Sequence, residues 1–194
     1  MIIKTSEIPW HTQLTVEKLY KLILNYDPEI AYHSSNVKKI AGMLTDGLNL
    51  SIQTKHEIAN AALLHDIGKI MIPKSILDKP SKLTPQEYKI IKEHSLYGYQ
   101  ILGNISGFQH IADDILYHHE FFNGTGYPIG TSGVDIPFIS RVLTISDVYE
   151  ALISDRCYRK ALPKVQAAKM IVESSGIQFD PMLVDKFLFI KDFL

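Results

Sequence analysis

Seven titratable residues stand where the surrounding pattern asks for apolar side chains. His33 lies on the stripe of Ile30, Val37 and Ile40, and His65 with Asp66 continues the face of Ile58, Ala59, Ala62 and Leu63. His94 falls between Ile90, Tyr97 and Ile101, and Asp147 between Leu143 and Ala151. His118 and His119 end a segment carrying Ile111, Ile115 and Leu116. An unpaired carboxylate buried on such a face costs several kcal/mol, so these groups must satisfy one another or share a cation. Adjacent helical side chains point about 100° apart, so a doublet such as His65-Asp66 or His118-His119 can address two neighbouring ions. Glu29 and His33, four residues apart, face the same way and can grip one ion together. Imidazole and carboxylate without thiolate suit Fe, Mn, Zn, Co or Ni better than copper(I) or calcium, and spacing does not choose among them. His11, His56 and His110 lie outside these alignments and read as incidental surface or core residues.

Helices must carry these residues. Asp27-Pro28-Glu29 offers an N-cap, a proline at the first helical position and an acidic first turn, after which apolar residues recur at helical spacing to Leu48. A second helix runs from Ser51 to about Asp66, with Gly68 as its stop. A lysine-rich loop follows. Thr84-Pro85-Gln86-Glu87 is a capping-box start for a helix extending through Leu102. Further helices fit 107–119, 137–154, 163–175 and 181–193, and an earlier one fits Thr15 to Asn25. No run alternates as strands do, so the expected class is all-α. The longest irregular segment, Glu120 to Ile136, holds Asn123-Gly124, Gly126, Pro128, Gly130 and Gly133; loops of that length in compact domains are usually functional.

The chain has 194 residues, 46% hydrophobic and 21% charged, with a formal net charge of −1. That is the size and composition of one globular domain, expected over 1–194, and it excludes a generally basic nucleic-acid binder. The charge is uneven: 69–92 and 154–169 each carry a net +4, a pattern suited to a compact polyanion. Cys157 is the single cysteine, which excludes an internal disulfide and a thiolate zinc cage. No apolar run reaches the ~20 residues of a membrane span and the N-terminus has no leader pattern, so a cytoplasmic, non-membrane protein is expected.

In order, these residues spell a signature. His65-Asp66-Ile67-Gly68-Lys69, with His33 upstream and Asp147 downstream, resembles the HD superfamily of metal-dependent phosphohydrolases. His118-His119-Glu120 followed by Asn123-Gly124-Thr125-Gly126-Tyr127-Pro128 is similar to the HD-GYP phosphodiesterases of bacterial cyclic di-GMP signalling. The likeness continues through Ile145-Ser146-Asp147-Val148-Tyr149, Ser154-Asp155-Arg156 and Gln178-Phe179-Asp180-Pro181, and covers about 27–188, leaving 1–26 as an N-terminal helical extension. It implies an HD helical core extended by C-terminal helices and holding two or three divalent metals, iron first, with Mn, Ni, Co and Zn as alternatives. The implied ligands are His33, His65, Asp66, His94, His118, His119 and Asp147, with Asp66 bridging; Glu29 matches the extra carboxylate of members with a third metal. Phe121 and Asn123 replace an Arg and an Asp common in the family. A receiver domain often precedes the family's core, and none is expected within these residues.

The resemblance further implies hydrolysis of cyclic di-GMP, ending at pGpG or running on to GMP. No Ser, Thr or Cys sits in a nucleophile motif with a base, so a metal-bridging hydroxide is the expected attacking group. Lys69 is expected to hold a phosphate oxygen, while the likeness makes Arg156 and Arg159 contacts to guanine or phosphate and Tyr127 a loop residue beside the substrate. Alternatives are cyclic GMP-AMP as substrate, a nucleotide-binding module that docks a diguanylate cyclase or other signalling proteins, and an iron-dependent oxygenase.

Overall fold

The computed structural model describes residues 10–155 and 159–190. Ten helices follow in order: α1 (Trp10–Tyr26), α2 (Pro28–Thr45), α3 (Ile52–Leu64), α4 (Lys74–Leu77), α5 (Pro85–Lys92), α6 (His94–Gly103), α7 (Gln109–Leu116), α8 (Phe138–Ile153), α9 (Lys164–Glu173) and α10 (Pro181–Ile190). Tight 3-10 turns occupy Ile67–Met71 and Gly133–Asp135. Among the described residues β pairing is confined to isolated bridge positions, as between Ser175 and Phe179. The class is therefore all-α. No helix among the described residues is long and apolar enough to cross a membrane.

Local chemistry sets the helix starts. The Asp27 carboxylate accepts from the Glu29 and Ile30 amides at 2.9 and 3.4 Å, and the Ser51 hydroxyl from Thr54 at 3.0 Å. Thr84 and Glu87 exchange bonds in a complete capping box. Helix α2 lies at the centre, packed on α3 and α8, and its buried Val37, Ala41 and Leu44 join Ile58, Ala61 and Leu64 of α3 and Val142, Leu143 and Ile145 of α8 in one core. Helices α6 and α7 pack together and α6 also packs against the turn Ile67–Met71, while α9 and α10 close the far side of α8, where Tyr149 meets Phe187 edge to face at 4.9 Å.

The helix expected from Thr84 through Leu102 is broken at Glu93. Side chains take the carbonyls of the last turn of α5: His94 Nδ1 bonds Ile91 O at 2.7 Å, and Ser95 Oγ donates to Lys92 O at 3.2 Å. The break sets His94 as the first residue of α6. The lysine-rich loop also holds more structure than expected, namely α4 and the 3-10 turn that carries Gly68 and Lys69. Helix α7 stops at Leu116, so His118 and His119 lie just beyond it.

Candidate metal centre

Five segments converge on one buried cluster: α2 brings His33, the end of α3 His65 and Asp66, α6 His94, the end of α7 His118 and His119, and α8 Asp147. Three sets of donor atoms lie within 4.8 Å of one another: His33, His65 and Asp66; His65, His118 and Asp147; and His94, His118 and His119. Asp66 stands between the outer two. Its Oδ2 lies 3.4 Å from His65 Nε2 and 3.8 Å from His33 Nε2, while its Oδ1 lies 3.4 Å from His94 Nε2. One carboxylate thus offers an oxygen to each side.

The imidazoles are held so that Nε2 is bare. His65, His94 and His118 each direct Nδ1 to the carbonyl three residues back, at 2.8, 2.7 and 2.5 Å. A carbonyl only accepts, so the proton sits on Nδ1 and the Nε2 lone pair points into the cluster. His65 Nε2 is fully buried and has no hydrogen-bond partner. His94 Nε2 lies 3.3 Å from His118 Nε2 and 3.1 Å from His119 Nε2. Lone pairs aimed at one another at that range repel unless they share a cation, and imidazole–metal bonds of about 2.0–2.1 Å bring neighbouring donors to about 3 Å. The residues present therefore fit divalent metal ions, as both the orphaned nitrogen and the donor set require.

Burial keeps three of the rings neutral, holding His94 down to about 4, His118 down to about 3 and His119 well below its ordinary value. His33 differs. Burial opposes its charge, but hydrogen bonds to Asp147 and Glu150 outweigh it and raise the ring to about 9. Burial of Asp66 and partial burial of Asp147 oppose their ionisation, yet Lys69 with His65 and His94 around the first, and His33 with His65 and His119 around the second, hold both carboxyls well below the usual range. Lys69 Nζ lies 2.6 Å from Asp66 Oδ2.

The Gly-Tyr-Pro loop folds over the His118-His119 side. The Glu120 carboxylate, buried, accepts from the Ile129 amide at 2.6 Å and from Gly130 at 2.9 Å, and Tyr127 N bonds His119 O at 3.1 Å. The loop is braced from the C-terminal side by Phe122 N to Gln178 O at 3.2 Å and Asn123 N to Ile177 O at 3.0 Å. The Tyr127 ring consequently stacks on His119, with centroids 4.8 Å apart.

The chain spans about half the length, or less, of the curated relatives it matches. A family model described as HD domain matches residues 17–183, which takes in every residue of the cluster. The chain belongs to the HD domain family. A probable cyclic di-GMP phosphodiesterase of Vibrio cholerae is 33% identical over 95% of this chain and 46% of its own length. A 3'3'-cGAMP-specific phosphodiesterase of the same species is 36% identical over 83% of this chain and 35% of its own. Among solved structures, an HDG"Y"P protein from Bdellovibrio bacteriovorus superposes with a TM-score of 0.70 at 22% identity, covering 84% of this chain and 52% of that one, a likeness of fold.

Other expected site residues fall differently. Glu29 is exposed on the first turn of α2 and joins none of the three donor sets. Arg159 turns its guanidinium to the Ala151 and Leu152 carbonyls at the end of α8, where it acts as a helix cap. Arg156 lies outside the described residues. Two carboxylates that the sequence reading did not select shape the HD centre: Glu120, and Glu150, whose Oε2 lies 2.5 Å from His33 Nδ1. Glu150 follows Asp147 by three residues on α8, one helical turn away, and that spacing is the signal that could have found it.

Proposed function

We propose that this HD domain is a metal-dependent phosphodiesterase that hydrolyses the 3′–5′ bonds of cyclic di-GMP, giving pGpG and then GMP. The observation that carries the reading is the pair of bare-nitrogen clusters sharing Asp66, with Lys69 and Tyr127 at their edge. Paired sites of this kind suit in-line displacement at phosphorus, and the similar relatives named as cyclic di-GMP phosphodiesterases support the substrate.

His33, His65, His94, His118, His119, Asp66 and Asp147 would hold two divalent ions, iron first and Mn, Ni, Co or Zn as alternatives. Such ions, when bound, lower the pKa of water and neutralise charge on phosphoryl oxygens. The chain's own groups do the rest. The carbonyls of Ala62, Ile91 and Ile115 fix the tautomers of His65, His94 and His118, so no proton competes for the Nε2 of those three rings. Lys69 supplies a cation beside Asp66 for a non-bridging phosphate oxygen. Tyr127, presented by the loop that Glu120 ties, walls the site on the His119 side. A third ion at Glu29 would require that side chain to turn inward from its exposed position.

A second substrate, cyclic GMP-AMP, is favoured by the relative specific for it, whose 36% identity to this chain is comparable with the 33% and 35% of two relatives named for cyclic di-GMP. Seven donors and Lys69 all in place favour turnover over a docking module for a diguanylate cyclase or another signalling protein. The deciding experiment is anaerobic preparation, loading with Fe(II) or Mn(II), incubation with each cyclic dinucleotide, chromatographic identification of products and assay of bound metal. Turnover of cyclic di-GMP to pGpG is expected. Full loading without turnover of either dinucleotide would sink the reading.

A further inference from the structure

A row of rings and one cation leads outward from the centre. Tyr127 stacks on His119, and the Lys92 ammonium lies 5.2 Å from the Tyr127 ring centroid and 5.4 Å from that of Tyr88. Lys92 ends α5 and Tyr88 sits one turn earlier on the same helix, a spacing that puts both on one face. Tyr88 is 52% exposed.

The lysines of the +4 segment 69–92 are not equivalent. Lys69 pairs with Asp66, Lys79 pairs with Glu87 at 2.6 Å, and Lys74 covers Tyr26 at 4.9 Å. Lys92 is half-buried, stands two residues from His94, and has no carboxylate within ion-pairing distance among the described residues. A cation left without counter-charge between aromatic faces, beside a phosphodiester site, suits a flat ligand with acceptors on its edge better than a bare phosphate.

We propose that Tyr88 and Lys92 form a subsite for a guanine base of the substrate, the Tyr88 ring giving the stacking face and the Lys92 ammonium donating to O6 and N7. The proposal rests on the phosphodiesterase reading of the metal centre. Lys92 lies over both rings, but Tyr127 also has a face on His119, so Tyr88 is the more accessible of the two. Lysine donates and cannot accept. Guanine presents two acceptors side by side on that edge, whereas adenine sets an amino donor beside N7, so the pair selects guanine. Stacking on a tyrosine is tolerant of base identity and adds affinity without selectivity.

The metal-loaded protein is assayed on cyclic di-GMP, on cyclic di-AMP and on bis(4-nitrophenyl) phosphate, a diester with no nucleobase, and GMP and AMP are titrated calorimetrically. Lys92→Met is expected to raise KM for cyclic di-GMP about tenfold more than for the base-free diester and to erase the preference for GMP over AMP, while Lys92→Arg keeps it. Tyr88→Ala is expected to weaken both nucleotides alike, and Tyr88→Phe to restore them. Equal losses of Lys92→Met on the base-free diester and on cyclic di-GMP would overturn the proposal, since Lys92 would then act on the centre through Tyr127 or on phosphate. Unchanged GMP affinity in Lys92→Met would overturn it as well. Loss of GMP preference in a protein that cleaves the base-free diester but not cyclic di-GMP would uphold the subsite and refute the assigned activity alone.

Discussion

His33 is held from both sides, with Nε2 2.9 Å from Asp147 and Nδ1 2.5 Å from Glu150, and Glu150 in turn accepts from Ser154 at 2.7 Å and Asn36 at 3.2 Å. Carboxylates behind ligating histidines fix the ring and raise its basicity, and their loss typically lowers metal affinity about 10–100-fold. Glu150→Gln is therefore expected to weaken metal binding by that factor with helix content unchanged, as read by titration against a competing chelator; unaltered affinity would refute the role. Asp66 should behave more drastically because its two oxygens serve both outer donor sets. Asp66→Ala is expected to abolish metal retention and diesterase activity together, whereas Lys69→Ala lowers kcat about 10-fold or more with metal content intact. Elemental analysis beside the kinetics separates the two, and an active Asp66→Ala protein would remove the basis of the mechanism.

At the scale of elements, two glycines let backbones approach where the site is assembled. A Cβ on Gly68 would lie 1.9 Å from His94 O and 2.5 Å from Gly98 N, so the turn Ile67–Met71 could not pack on α6. Gly126 would meet Phe121 N at 2.2 Å and His119 O at 2.5 Å, contacts that only backbone movement relieves. Gly126→Ala is expected to keep the metals but lower kcat/KM for cyclic di-GMP at least tenfold by displacing Tyr127, while Gly68→Ala destabilises the fold by about 3 kcal/mol. Denaturant unfolding and metal assays on the same preparations distinguish these outcomes. The clustering of these histidines and aspartates was legible in the sequence because such residues on apolar helical faces need a shared explanation, and the motif around Tyr127 because Gly and Pro punctuate it. The break at Glu93 was not legible, since Thr84 to Leu102 keeps helical periodicity and only the side-chain bonds of His94 and Ser95 to carbonyls reveal it. Nor was the part played by Glu120 and Glu150, because a carboxylate among polar neighbours reads as solvated until its partners from distant segments are in view. Arg159, which the family likeness makes a contact to guanine or phosphate, has its donors on the carbonyls ending α8.

Across the whole molecule, the donors come from helices that also build the core, so bound ions tie α2, α6 and α8 to the ends of α3 and α7. Binding to the native state alone stabilises it by about 4 kcal/mol at a thousandfold excess over Kd. Chelation is expected to lower Tm by several degrees, and full recovery on adding Mn(II) checks that the loss is reversible.

A separate pH dependence lies away from the metals. Asp114 of α7 is buried, and burial first, then the negative charges of Glu57 on α3 and neighbouring Asp113, push its carboxyl up to about 7; His110 lies 3.9 Å from Glu57. An acid whose folded pKa stands above its unfolded value of about 3.9 favours folding only while protonated. Its contribution is whole below about pH 4, declines as pH rises through about 7, and changes no further above that. Asp114→Asn cannot ionise, so its stability relative to the wild type should rise between pH 4 and pH 8, by an upper bound of about 4 kcal/mol. Urea unfolding of both proteins in the same metal-loaded state at each pH measures the difference, in which changes common to the metal centre cancel. A constant gap across that range would mean that Asp114 is ionised throughout in the fold, and that water or a cation reaches it beside α3.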